Sequence, residues 1–160
     1  MTGPTAYGTG PMVTEQPKPQ HDGLDLEMQI RAGTLLAHMA VGPEVLSGLR
    51  AATVQVLQDA GIAAETAHTA QLVLSELVGN AVRACGDGAP LIVEVRADAG
   101  RVSVSVTDPD PDHLPQPGAV RLDSADAESG RGLSIVGLLC EHIGIDVIAV
   151  GKRVRCLIAS

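Results

Sequence analysis

The sequence predicts an α+β fold in two layers: a mixed, mainly antiparallel sheet covered on one face by helices. Local patterns run strand, helix, helix, strand, strand, loop, helix, strand, strand. Helices and hairpins therefore do not alternate as a doubly wound parallel sheet requires. Two β-branched runs, in LIVEVRADAGRVSVSVTD, flank Asp98-Ala99-Gly100, which reads as a hairpin turn. A long apolar stretch, AAETAHTAQLVLSELVGNAVRACGDG, reads as a helix closed by Gly86.

The remaining elements follow in order. Residues 1–23, rich in Gly, Pro, Thr and Gln, bury little and read as a disordered tail ahead of a domain over 24–160. Leu24 to Val41 partly alternates and contains Gly33, which suits one strand or a short hairpin. GPEVLSGLRAATVQVLQDAG is a helix: Pro43 suits its first turn and Gly61 its stop. Val45, Leu49, Ala52, Val56 and Leu57 share its face. Residues 108–129 form a long loop of Pro, Asp and Ala, a length typical of lids and binding segments. GRGLSIVGLLCEHIG opens a third helix. IDVIAVGKRVRCLIAS is a closing hairpin expected to turn at Gly151-Lys152.

Composition narrows the function. The chain has 160 residues, 45% of them apolar, enough for one domain with a core of Leu, Val, Ile, Ala and Met. One Tyr and no Phe or Trp argue against base-stacking platforms. A net charge of −8 argues against binding a nucleic-acid backbone, although one helix end can still hold a phosphate group. Cys85, Cys140 and Cys156 have no metal-ligand spacing and read as reduced, buried thiols of a cytoplasmic protein. The five histidines form no HxxxH pair. No segment reaches the ~18 apolar residues of a membrane span, and the start lacks a signal-peptide pattern.

Three short motifs carry chemistry. Glu76, Asn80 and Arg83 fall within roughly 60° on the wheel of the second helix, beside a glycine at 79. Such a strip is either a solvated edge or a set of polar groups aimed at a ligand. Gly130-Arg131-Gly132-Leu133 precedes the third helix, leaving free N–H groups and a positive dipole end, unless it is simply a flexible helix start. GxGxxG, the GxSxG elbow and the Walker A loop are all absent. Asp108 ends a strand, where a carboxylate can accept a hydrogen bond from an exocyclic amine. It could equally be an ordinary turn-starting Asp before Pro.

In order, these motifs resemble the gyrase, chaperone and histidine-kinase ATPase superfamily (GHKL, the Bergerat ATP-binding fold). LVLSELVGNAVRA, VSVTDPDP, ESGRGLSIV and the closing GKRVRCLI resemble more narrowly the short bacterial anti-sigma factor serine/threonine kinases and their actinobacterial relatives, over about residues 40–160. The resemblance implies ATP and Mg²⁺. By it, Glu76 is the general base or orients the attacking group, and Asn80 completes Mg²⁺ coordination. Arg83 reaches a phosphate or a partner, and Asp108 reads the adenine amine. Gly130, Arg131, Gly132 and Leu133 wrap the phosphates beneath a 109–129 lid. It also implies a small anti-sigma antagonist as phosphoacceptor, a sigma factor as partner, and pairing of two copies. Against the pattern, the first glycine box is D-P-D-P-D rather than D-x-G-x-G, and Cys85 stands where relatives often carry a His-Ala pair. The alternative is a non-catalytic nucleotide-binding or docking module in a signalling partner switch.

Overall fold

A computed structural model describes residues 26–40, 42–86, 88–112 and 135–159. Its elements are β1 (Leu26–Arg31), β2 (Thr34–Ala40), α1 (Pro43–Asp59), α2 (Ala64–Cys85), β3 (Pro90–Asp98), β4 (Arg101–Asp108), β5 (His142–Ile148) and β6 (Gly151–Ala159). Residues 135–139 form a helical turn. The expected third helix therefore ends sooner than its pattern suggested, because His142, Ile143 and Gly144 already pair in β5.

The six strands make one sheet in the order β1-β2-β3-β4-β6-β5. Every neighbouring pair is antiparallel, so the mainly antiparallel expectation holds and no parallel pair occurs among the described strands. Helix α2 lies over β4 and β6, and α1 over β2 and β3, with the two helices packed side by side. That is the predicted α+β sandwich. No helix among the described residues is long and apolar enough to cross a membrane.

The period of two decides the inner face. Leu35, Ala37 and Met39 stand opposite Val95, Val93 and Leu91, and β4 and β6 continue the rows. Val102 pairs with Ile158, Val104 with Cys156 and Val106 with Val154, all buried. The intervening Glu94, Ser103, Ser105 and Arg155 lie on the other face. Under the helices, Val45, Leu49, Val56 and Leu57 of α1 are buried as expected. Ala52 is only half-buried, and Thr53 takes a buried place by donating its hydroxyl to the Leu49 carbonyl at 2.8 Å.

The turns follow local chemistry. α1 ends in a Schellman motif: Ile62 N–H reaches Leu57 O at 2.9 Å and Gly61 N–H reaches Gln58 O at 3.0 Å, with Gly61 at φ 83°. Gly86 caps α2 as the sequence predicts. Within the Leu24–Val41 stretch, the described residues 26–40 form a hairpin, β1 and β2, turning at Ala32-Gly33. Ala99 and Gly100, at φ 50° and 77°, give the β3–β4 hairpin the twist of a type I′ turn.

The closing hairpin corrects the expected turn. Ile148 pairs with Gly151, so the turn residues are Ala149-Val150, and Gly151 and Lys152 already belong to β6. Gly151 sits at φ 142°, and a Cβ there would overlap the Asp108 carbonyl oxygen and lie 2.7 Å from Pro109 Cα. The missing side chain lets β6 close against the end of β4. Gly151→Ala is therefore expected to cost about 1–3 kcal/mol from backbone strain alone, with the overlap adding to it. The loss is read as a lowered urea midpoint, and an unchanged midpoint would contradict this packing.

Candidate functional site

Asp108 occupies the last inner-face position of β4, where the apolar row Val102, Val104, Val106 runs out. It is 3% exposed. Directly across the ladder stands Lys152, 2% exposed, at the matching end of the row Ile158, Cys156, Val154. Lys152 Nζ donates to Asp108 Oδ1 at 2.9 Å and to the Asp110 carbonyl oxygen at 2.8 Å. The Cys85 thiol, at the end of α2, donates to the same Oδ1 at 3.5 Å. A buried carboxylate is tolerated here because a cation and further donors meet it.

The D-P-D-P-D segment has a local logic. Asp110 N–H donates to Asp108 Oδ1 at 2.9 Å, and Asp112 N–H donates to Asp110 Oδ1 at 2.9 Å. These are two successive Asx turns, each carboxylate capping the N–H two residues on and stepping over a proline that has none. The Asp110 carboxylate is thus engaged along the chain. A cleft of about 600 Å³ opens at this end of the sheet, lined by Met39, Pro90, Leu91, Asp108, Pro109 and Val150 among others.

The α2 motif forms a second cluster. Leu74, Leu77, Val78 and Ala81 are buried toward the sheet, which leaves Glu76, Asn80 and Arg83 on the flank of the helix. Arg83 folds back over the helix: Nη2 donates to Asn80 Oδ1 at 2.5 Å, and Nη1 would lie 3.4 Å from a Cβ on Gly79. A Cβ at Gly79 would meet the guanidinium at ordinary van der Waals distance, so the crossing does not itself require a glycine. Asn80 Nδ2 is buried without a partner among the described residues. A buried amide nitrogen left unpaired costs about 1–3 kcal/mol, so the site fits an acceptor oxygen supplied from elsewhere. Glu76 is half-buried and has no hydrogen-bond partner among the described residues.

The structure joins Asp108 with Lys152, Cys85 and Asp110, and Asn80 with Arg83. No hydrogen bond among the described residues links the two clusters, and the cleft beside Asp108 does not touch the α2 trio. The expected phosphate-wrapping residues Gly130, Arg131, Gly132 and Leu133, and the 113–129 part of the expected lid, lie outside the described residues. Sequence reasoning missed Lys152 as a site residue, although the signal was present. Extending the inner-face period of β6 from Ile158 through Cys156 and Val154 lands on a lysine, and extending that of β4 lands on Asp108.

Metal and thiol chemistry are limited by the same contacts. No group of three or more His, Cys, Asp and Glu is arranged to hold a metal among the described residues, so a Mg²⁺ ion would depend on Asn80 together with ligand oxygens. Its oxygen would first have to give up Arg83. All three cysteines are free, with Cys156 buried and Cys85 and Cys140 half-buried. Burial, then the charge and hydrogen bond of Asp108, push the Cys85 thiol above its usual range. The hydrogen bond between Cys140 and Cys156 lowers the Cys140 thiol and, with burial, raises Cys156.

Two outcomes follow. Removing one partner of the buried pair, as in Asp108→Ala or Lys152→Met, is expected to cost about 3–5 kcal/mol, because it leaves an uncompensated charge. Removing both should cost less than the sum of the single losses. Denaturant titrations of the two single variants and the double variant measure this, and additive losses would contradict the pairing. At pH 8 a lowered thiol carries more thiolate and a raised one less. Iodoacetamide should therefore modify Cys140 first, then Cys85, and Cys156 last, as followed by mass spectrometry.

Comparison with known proteins agrees with this architecture. No curated protein matches the chain. Residues 39–158, however, match the histidine kinase-like ATPase domain, from the inner-face Met39 of β2 to the inner-face Ile158 of β6. With that match running from the end of β2 to β6, and with the antiparallel sheet that carries Asp108 at a strand end, this chain belongs to the histidine kinase-like ATPase domain family, a GHKL-type ATP-binding domain.

Proposed function

We propose that this protein is an ATP-dependent regulator of the anti-sigma factor kinase type. In this reading it works in the cytoplasm, phosphorylates a Ser or Thr of a small STAS-type anti-sigma antagonist, and sequesters a sigma factor. The supporting observation is the buried, charge-paired Asp108 at the mouth of an apolar cleft, in a chain whose family binds ATP. A mostly apolar cleft with a few polar groups, Asp108 among Glu27, His38 and Thr107, suits a flat base bearing an exocyclic amine. The resemblance of LVLSELVGNAVRA, VSVTDPDP, ESGRGLSIV and GKRVRCLI to short anti-sigma factor kinases supports the narrower reading.

The nucleotide, when bound with Mg²⁺, supplies the phosphoryl group. The chain supplies positioning and charge, as phosphoryl transfer generally requires. Asp108 accepts from the base. Asn80, whose amide has an unpartnered nitrogen, takes part in the metal–phosphate end. Arg83, once released from Asn80, offers its guanidinium to a phosphate. Glu76, with no competing partner among the described residues, orients the acceptor hydroxyl or takes its proton. By the same resemblance, Gly130, Arg131, Gly132 and Leu133 would complete the phosphate wrap.

One observation favours the second reading, a docking module without turnover. Asp108 Oδ1 is already satisfied by Lys152, and the glycines of the family's first box are replaced by a proline-stiffened double turn.

Mg-ATP at a hundredfold excess over its Kd should stabilise the wild type by about 2.7 kcal/mol, seen as a raised melting temperature, and Asn80→Ala should lose most of that rise. No shift in the wild type would leave only the docking form. A shift without phosphorylation of any antagonist would leave a nucleotide-binding switch rather than a kinase.

A further inference from the structure

The proposed nucleotide reading accounts for Asp108 but gives Lys152 nothing to do. Yet an ammonium 2% exposed is rare, and its placement is closely specified. The β4–β6 register puts it opposite Asp108, and Gly151 lets β6 approach the Asp108–Pro109 backbone. Its two acceptors come from either side of Pro109: Asp108 Oδ1 at 2.9 Å and Asp110 O at 2.8 Å. Three donors converge on one carboxylate oxygen, namely Lys152 Nζ, Asp110 N–H and the Cys85 thiol. Oδ2 receives no hydrogen bond among the described residues, and Asp108 lines the cleft.

We infer that Lys152 is a positioning and specificity-determining residue: it locks the Asp108 carboxylate by Oδ1 and leaves Oδ2 as an acceptor-only group toward the cleft. This rests on the reading above, in which Asp108 meets a purine. Two consequences follow from elementary chemistry. A carboxylate pinned at one oxygen cannot rotate away from the base. A carboxylate oxygen is an acceptor, so held in place it accepts from a 6-amino group and disfavours a 6-oxo group, which is itself an acceptor. Without Lys152, the carboxylate loses the donor that pins Oδ1 and is free to turn, so the choice between amino and oxo purines would relax. Lys152 touches neither phosphate nor reacting atoms; it acts through Asp108.

The experiment compares Mg-ATP with Mg-ITP, which differ at the purine 6-position by amine against carbonyl, by calorimetric titration of the full chain. The wild type should prefer ATP on the order of tenfold or more, the value of one well-placed hydrogen bond and the avoided clash of two acceptors. Lys152→Met should bring the ATP-to-ITP ratio toward one. A purely structural role would weaken both ligands alike and leave the ratio intact. A Lys152→Met protein that keeps the wild-type ratio overturns the inference while leaving Asp108 as the base reader. A wild type that binds both equally, or neither, overturns the inference and the purine role of Asp108 together.

Since Lys152→Met breaks a buried ion pair and destabilises the fold, the wild type provides an independent arm. The ammonium resonance of Lys152, followed by nitrogen-detected NMR, should stay protected from exchange when Mg-ATP is added. Its loss on saturation would mean that the pair opens for the ligand, and would overturn the positioning role.

Discussion

Asp108 stands opposite Lys152 at the end of the antiparallel β4–β6 ladder, and the ladder's register decides much of the molecule. The same register stacks Val102 on Ile158, Val104 on Cys156 and Val106 on Val154 beneath α2. A slip by one residue would turn Ser103, Ser105, Leu157 and Arg155 inward and send the core rows to the open face. Burial of those rows thus holds the carboxylate and the ammonium face to face. The pair need not contribute net stability to be retained, because a buried ion pair seldom outweighs the desolvation of its members. What it contributes is a fixed charge arrangement at a place where the apolar core meets a cleft.

Glycine and proline make that closeness attainable from opposite sides. On β6, Gly151 has no Cβ to strike the Asp108 carbonyl. On the other side, Pro109 and Pro111 separate carboxylates that fold back on the N–H groups of Asp110 and Asp112. The substitution of D-P-D-P-D for a glycine box therefore exchanges backbone freedom for a preformed double turn. It also supplies the Asp110 carbonyl that shares the Lys152 ammonium with Asp108. An acidic segment that looks repulsive toward phosphates in one dimension is in part neutralised by its own chain.

The two halves of the candidate site differ in readiness. Around Asp108 the polar groups are paired and the geometry is set. On the flank of α2, Asn80 is held by Arg83 through one atom and orphaned at another, and Glu76 has no partner among the described residues. Arg83 crossing Gly79 is a local arrangement, one helical turn long, that a stronger anionic partner can displace. The end of the sheet is thus preset, while the flank of α2 carries side chains that a ligand would rearrange.

The sequence by itself determined the α+β class, both helices with their glycine stops, and the hairpin turn at Asp98-Ala99-Gly100. Each of these is a local matter of turn chemistry or of side-chain period. It also marked Glu76, Asn80, Arg83 and Asp108, because their spacing on one helix and at one strand end is visible along the chain. Only the tertiary structure decided that Lys152 belongs to the site, that the last turn is Ala149-Val150, and that Cys85 reaches Asp108 across 23 residues. Lys152 and Asp108 are 44 residues apart, and nothing local brings them together. Their meeting is fixed by which strand lies beside β4 and in what register, and that depends on burying the whole valine ladder at once.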